Sequence, residues 1–561
     1  MKKTLLLMLF AFLFISAKAQ DYIAMGDSCF KTKNYLCAAQ NYDLFLAKVE
    51  SRSNMIAYKS AKAWAMAADK ERTIAAIKIY VKNNYENDYP IFSNRLIKER
   101  AFDLVKDDER YKNILAAVIA KENTIKAEEK NKADSIVAFQ ALLEKEGLLN
   151  KLDLDKGSAI ETYNRIKAYN KYPQLKHETI SLQFKITDSL HTAFLIVLPK
   201  DYDAHKSYRL LFFLHGAVSS NTGYPDYADA RDTSGWNRYY TKYATINKVI
   251  MVYPMGNRDY NWMYPDNGFY IIPAMLKQIK QVINVDDNRV FISGHSNGAT
   301  GSFSYAIKQP SLFTGFYGFN TRPRVATGGT YIRNLLNRSW FNVSVDQDYY
   351  YPPAAHDSLD KVMKGLHADY QDHRYNGFPH WFPQFNESEP AYKLLFADLT
   401  MRKRNPFRPN ISWECDDVKY GRCDWLSITA LDTTTAAKAA WQKPINFRIN
   451  KWVVLDKEAK AHIVDTMMNG FVYRKRSGAV KAAYSNNIFN IETSDVGAIR
   501  IYLSPEMVDF KKPVAVTING KQRFKGKVIY NKQFMTDGFE ATLDKAALWV
   551  NYIDIVVKPK I

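Results

Sequence analysis

A serine hydroxyl becomes a nucleophile when a turn holds it clear of the backbone and a nearby base can take its proton. Residues 290–300 read Val-Phe-Ile-Ser-Gly-His-Ser-Asn-Gly-Ala-Thr. Val290, Phe291 and Ile292 form an apolar, strand-prone run, and Ala299 to Lys308 suits a helix. Between them Gly294-His295-Ser296-Asn297-Gly298 is a G-x-S-x-G pattern, a serine on a sharp strand-to-helix turn. The flanking glycines have a steric purpose, because side chains there would collide across the turn. The helix start brings unpaired N–H groups and a partial positive charge to the place where an oxyanion would form. Ser296 is therefore the candidate nucleophile.

The base needs an orienting acid, and after a serine presented in this way both follow along the chain, on loops at strand ends. The apolar run Phe341 to Val345 leads into Asp346-Gln347-Asp348-Tyr-Tyr-Tyr-Pro352. Either aspartate could reach the base. The spacing into Pro352 favours Asp348, which leaves Asp346 to cap the loop. Of the downstream histidines, His356 and His367 fall in a helical stretch and His373 in the strand after it. His380, in Gly377-Phe378-Pro379-His380-Trp381, lies in the loop past that strand, where the base must be. Two backbone N–H groups would complete an oxyanion hole: Asn297, directly after the serine, and Ala217, in the His215-Gly216-Ala217 loop after the Arg209–Leu214 strand. Trp236, Trp262, Tyr264, Tyr349, Tyr350 and Trp381 crowd these loops. Of them Trp262, Tyr349 and Trp381 are candidates to stack on sugar or phenolic groups, against the alternative of core packing. No metal or cofactor is expected.

On Leu214-His215-Gly216, the Gly294–Gly298 turn, the Asp348 loop and the His380 loop, the stretch from about Lys176 to Asn405 resembles the α/β-hydrolase superfamily. It is most similar to secreted feruloyl, acetylxylan and polyhydroxybutyrate-depolymerase-like esterases. Pro379 stands where that group often has glycine before the histidine, and Asn297 where it often has Met, Gln or Ala after the serine. The resemblance implies an exported serine esterase acting on acyl or phenolic esters, attached to carbohydrate. The alternatives are a peptidase of related fold and an inactive envelope binding or scaffold protein.

The elements that must position these groups are legible in the periodicity. Strand-like runs Thr179 to Ile186, Ala193 to Leu198, Arg209 to Leu214 and Val249 to Tyr253 alternate with helical stretches, as in a mostly parallel sheet with crossover helices over residues 176–405. Residues 20–118 read as tetratricopeptide-like helices. Cys29, Ala38 and Tyr42 are echoed about 38 residues later by Ala67, Ala76 and Tyr80, whereas the bulky Trp64 stands in the place of Gly26, against an ideal spacing of about 34. Residues 119–175 read as connecting helices, the first part charged and alanine-rich. Residues 406–561 read as a β-sandwich, with a hairpin at Asn519-Gly520.

Composition bounds the class. A chain of 561 residues with 47% hydrophobic content can bury several cores, which excludes wholesale disorder. Residues 1–19 have a basic start, an apolar stretch and Ala17-Lys18-Ala19, which implies cleavage and export to the periplasm or medium; no cysteine stands directly after the cut and no later run is long enough to span a bilayer. The net charge of +20 suits anionic surfaces, with acidic envelope glycan the better expectation than nucleic acid, for which no module is present. The N-terminal helices are read either as a docking surface for a protein or envelope partner or as a prop for the enzyme. The four cysteines form two close pairs. A disulfide is expected more strongly for Cys415 with Cys423 than for Cys29 with Cys37.

Overall fold

The computed structural model describes residues 22–48, 53–86, 92–218, 223–224, 226–228, 233–264, 268–432, 434, 438–455, 461–473 and 475–557. The expected leader, residues 1–19, lies outside them. The chain divides into two compact units, residues 1–132 and 133–561.

The first unit is helical. Helices α1 (22–31), α2 (Tyr35–Lys48), α3 (Asn54–Met66) and α4 (Lys70–Glu86) enclose a core that includes Ala38, Tyr42, Ala61, Trp64, Ile77 and Tyr80. Small residues permit this packing: a Cβ on Gly26 would lie 2.6 Å from the ring of Tyr42. Trp64 is buried and donates from Nε1 to Asp43 at 2.8 Å. Cys29 and Cys37 are joined by a disulfide, whereas Cys415 and Cys423 are free and buried. This reverses the expected preference. Helix α5 (Glu109–Lys145) runs through the expected boundary at Val118 without a break, since no glycine or proline interrupts its 37 residues.

In the second unit an eight-stranded sheet has the order β1-β2-β4-β3-β5-β6-β7-β8. Its strands are β1 (Thr179–Lys185), β2 (His191–Val197), β3 (Tyr208–Leu214), β4 (Ile250–Pro254), β5 (Val285–Gly294), β6 (Gly315–Phe319), β7 (Ser339–Gln347) and β8 (Tyr370–Pro379). Strand β2 is antiparallel to β1 and β4, and β3 to β8 pair in parallel. Strand β3 is apolar from Leu210 to Leu214, where both of its faces are covered. Leu210 and Phe212 share a core with α7 (Ile271–Lys280), α8 (Asn297–Lys308) and α9 (Pro353–Gly365). Leu211 and Phe213 share the other with α6 (Arg238–Asn247) and α10 (Glu389–Met401). Parallel pairing brings the carboxyl ends of β3, β5, β6, β7 and β8 to one edge of the sheet, and Ala217, Ser296, Asn297, Asp348 and His380 follow those ends.

Beyond residue 405 the chain is rich in strands. One sheet joins β10 (Arg422–Cys423), β11 (Leu426–Leu431), β16 (Val496–Leu503) and β19 (Asn551–Val556). A second joins β9 (Asn410–Cys415), β14 (Gly478–Ser485), β15 (Ile488–Ser494), β17 (Val514–Ile518) and β18 (Lys521–Gly526). A single apolar core draws from both, including Trp413, Phe489 and Val516 from one and Ile428, Ile499 and Ile553 from the other. Cys415 ends β9 and Cys423 ends β10, so the two thiols belong to different sheets, each within that core. Asn519 and Gly520 turn the β17–β18 hairpin with φ of 50° and 76°. Two features depart from the expected β-sandwich. The helix α11 (Lys532–Thr542) is started by Asn531, whose side chain accepts from the Phe534 amide. The two-stranded arm of β12 (Arg448–Leu455) and β13 (Ala461–Asn469) carries Trp452 to within 6.0 Å of the Tyr351 ring.

Candidate active site

The serine turn is dictated by close approach. A Cβ on Gly294 would sit 2.3 Å from the carbonyl carbon of Gly298, and one on Gly298 would sit 1.8 Å from the carbonyl oxygen of Leu214. Neither neighbour can move, because both are backbone of packed elements. Between them Ser296 has φ 56° and ψ −118°, a placement that L residues adopt only where surrounding structure enforces it. Its amide donates to the carbonyl of Phe319 at 3.0 Å, which ties the turn to the end of β6. Asn297 opens α8, so its amide is among those that a helix start leaves without an intrahelical acceptor. Ala217, in the loop after β3, also has a positive φ of 54°. In the same loop a Cβ on Gly216 would lie 3.2 Å from the Ser296 Cβ, so this loop flanks the serine.

The two aspartates after β7 have different partners. Asp348 is buried and its Oδ1 accepts from His380 Nδ1 at 2.7 Å and from the Tyr350 amide at 2.7 Å. Asp346 is exposed and caps the β8 end, accepting from the amides of Gly377 at 2.8 Å and Phe378 at 3.3 Å. Strand register produces this division: β7 and β8 lie side by side in parallel with Gln347 opposite Pro379, so Asp348 and His380 leave the sheet together. The Asp348–His380 contact is short, buried and suited to a charged acceptor.

No hydrogen bond joins Ser296 Oγ to His380 among the described residues; the two are linked through their neighbours. His295 donates from Nε2 to the His380 carbonyl at 2.9 Å, and Asn320, after β6, donates to the same oxygen at 2.6 Å. Asn297 donates from Nδ2 to the Tyr350 hydroxyl at 2.8 Å. Burial, with a smaller contribution from His380, pushes the His295 pKa down to about 3, so this ring stays neutral and donates. Burial also lowers the pKa of His215. That ring donates from Nδ1 to the Gly216 carbonyl at 2.7 Å and accepts from the Gly256 amide at 3.0 Å, and so orders the loop carrying Ala217. The supporting roles of His295 and Asn320 were missed in the sequence. His295 lies inside the motif itself, and Asn320 directly follows a strand whose carboxyl end faces the same edge.

Aromatic rings surround His380. Tyr349 and Tyr350 lie 5.1 and 5.2 Å from it and Trp381 lies 5.2 Å away. Trp236 lies 5.9 Å from Trp381 and 5.4 Å from His295. Trp381 and Trp236 keep 44% and 37% of their surface exposed, as stacking faces require. Trp262 is different. It is 2% exposed and packs on Gly256, Gly301 and His215 beneath α8, so its ring belongs to the core and offers no face to a substrate. Gly301 explains this placement: a Cβ there would meet the Trp262 ring at 2.3 Å.

Residues 190–319 match the Esterase family model, described as "Putative esterase". Among solved structures the chain is similar to a thermostable esterase (20% identity, 40% of this chain and 64% of that one, TM-score 0.32). It is also similar to the S-formylglutathione hydrolase of Staphylococcus aureus (17%, 40% and 98%, 0.30). A third is the poly(3-hydroxybutyrate) depolymerase of Bordetella parapertussis (14%, 40% and 94%, 0.30). No curated protein matches. The family match runs from the start of β2 through the serine turn to the end of β6, and over that span the chain is similar to esterases.

Proposed function

We propose that the chain hydrolyses carboxylic esters through Ser296, His380 and Asp348, by way of an acyl-enzyme. His380 takes the Ser296 proton as the hydroxyl attacks the ester carbon. Asp348 holds Nδ1–H, which leaves Nε2 as the basic nitrogen, and stabilises the imidazolium that forms. The oxyanion of the tetrahedral intermediate collects at the amides of Asn297 and Ala217. His380 then returns the proton to the departing alcohol, and water repeats the sequence to release the acid. The observation that carries this reading is the 2.7 Å contact between His380 Nδ1 and Asp348 Oδ1, both buried, on loops tied to the strained Ser296 turn.

The rings of Tyr349, Trp381 and Trp236 favour acyl or phenolic esters on carbohydrate as the substrate class. Export through residues 1–19 would bring the enzyme to such polymers. We read the N-terminal helices, which share one apolar core, as a prop in preference to a docking module. The two C-terminal sheets that share a core are read as a sandwich-like accessory region.

A fluorophosphonate probe tests the reading. It should label the purified chain and leave Ser296→Ala unlabelled. Turnover of p-nitrophenyl esters without turnover of aminoacyl-p-nitroanilides separates esterase from peptidase. Equal labelling of the two proteins would overturn the assignment.

A further inference from the structure

At the edge of the central sheet opposite Ser296, two cavities adjoin. One, of about 590 Å³, lies over the five-stranded C-terminal sheet and is lined by Asn410, Ser412, Lys481, Asn490, Glu492 and Thr517, among others. The other, of about 290 Å³, reaches Arg338, Ser339 and Asp369 at the starts of β7 and β8, together with Lys403. Both are lined by Leu336, Asn337 and Arg408, so they form one trough. Strand β7 spans nine residues, which at about 3.3 Å each puts Asp348 roughly 25–30 Å away. The trough is separate from the ester site.

Its charges are unevenly matched. Arg338, Arg402 and Arg404 pair with Asp424, Asp369 and Asp544. Among the described residues Arg408, Lys403 and Lys481 have no ion pair. Arg408 is half-buried and held by the Leu336 carbonyl at 3.2 Å and by that of Asn337, and its Nε is buried without a hydrogen-bond partner. A guanidinium partly withdrawn from water, whose neighbouring carboxylate Asp424 is already paired with Arg338, is unfavourably placed, and a bound anion would relieve that. Asn410, Ser412, Asn490 and Thr517 on β9, β15 and β17 supply amides and hydroxyls that both donate and accept, as vicinal sugar hydroxyls require, and one carboxylate, Glu492, stands opposite Lys481 in the strand register. Among the described residues no aromatic side chain lines either cavity, so they offer no ring for the base stacking used to hold single-stranded nucleic acid.

We propose that this trough binds a segment of carboxylate-bearing polysaccharide and anchors the chain to it, independently of the esterase reading. The two cavities in line fit an extended occupant, with cations at Lys403, Arg408 and Lys481 to meet its repeated charges. Anchoring far from the chemistry raises the effective concentration of substrate on the same polymer without altering the reacting groups.

Binding of polygalacturonate, which has no ester to cleave, tests the proposal on the full chain. It should bind with an affinity that falls as salt rises, and neutral galactan should not. Lys403→Glu with Lys481→Glu should weaken binding at least tenfold, with melting temperature and p-nitrophenyl acetate turnover unchanged. Lys78→Glu with Lys130→Glu, the same charge change on exposed helical positions elsewhere, should leave binding intact. Absence of binding, equal binding of galactan, or equal loss in both double variants would overturn the proposal. So would tighter capture of single-stranded DNA or anionic vesicles through the same two lysines.

Discussion

The serine turn and the Asp348–His380 pair sit side by side at one sheet edge, yet they are built in different ways. The turn is made by neighbours in sequence. Gly294 and Gly298 have no room for a Cβ, and Ser296 is forced into its φ of 56° by a strand and a helix only residues apart. The Asp348–His380 pair is made by register, from residues 32 apart brought together because β7 and β8 run in parallel and end level. Local sterics can be read from a motif, whereas a pair assembled by register leaves two chemically equivalent candidates until the strands are aligned.

The largest expected effect comes from removing the nucleophile. Ser296→Ala should lower ester turnover on the order of 10⁶-fold, with an unchanged melting temperature, since the half-buried hydroxyl contributes little packing. A smaller loss would show that the turn is not the reacting part of the edge.

Changing each aspartate to asparagine sharpens the comparison next. Asp348→Asn should reduce kcat on the order of 10⁴-fold by favouring the wrong His380 tautomer. Asp346→Asn weakens only two exposed amide contacts and should alter kcat less than about threefold. Equal losses would mean that the loop as a whole, rather than one carboxylate, orients His380.

Two glycines test the local account through stability. Gly298→Ala drives a Cβ into the Leu214 carbonyl and should destabilise by about 4 kcal/mol or prevent folding. Gly520→Ala meets nothing within 4 Å and bears only the strain of φ 76°, so about 1 kcal/mol is expected in chemical denaturation. Similar values at the two sites would remove crowding as the cause.

The smallest effect is a pH dependence. His295 titrates near 6.5 when unfolded and near 3 when folded, so the unfolded chain binds the extra proton between those values. Its contribution is complete above pH 6.5 and is lost as pH falls towards 3, at up to about 1.4 kcal/mol per pH unit. His295→Gln, which keeps a donor for the His380 carbonyl, should flatten the fall in stability between pH 6.5 and 5. Parallel unfolding curves for the two proteins would show that His295 is not held neutral.

The order of strands and helices from Thr179 to Met401 was readable because their apolar runs are long and bounded by turns. The arm of β12 and β13 was not, since its strands carry exposed Ile463 and Met467 and no alternating pattern marks a buried face. Helix α11 was missed for a related reason: its Asn531 cap stands in a region dominated by strand texture. Trp262 and Trp381 read alike as aromatic residues on candidate loops, yet one fills the space left by Gly301 and the other stays exposed. The cysteines show the same limit. Cys415 and Cys423 are as close in sequence as Cys29 and Cys37, but they end strands of different sheets and stay apart as thiols.

The sequence by itself determined the serine turn, because the strain at Ser296 needs glycines at fixed offsets and those offsets are written in the chain. It also limited the carboxylate that could meet His380 to Asp346 or Asp348 and set His380 past the last strand. Which aspartate meets His380, that His295 and Asn320 hold its carbonyl, and that Trp262 is core were decided only by tertiary structure. The reason is that parallel strands carry no local signal for where a neighbour ends, so groups far apart in sequence acquire their partners from sheet register and helix packing alone.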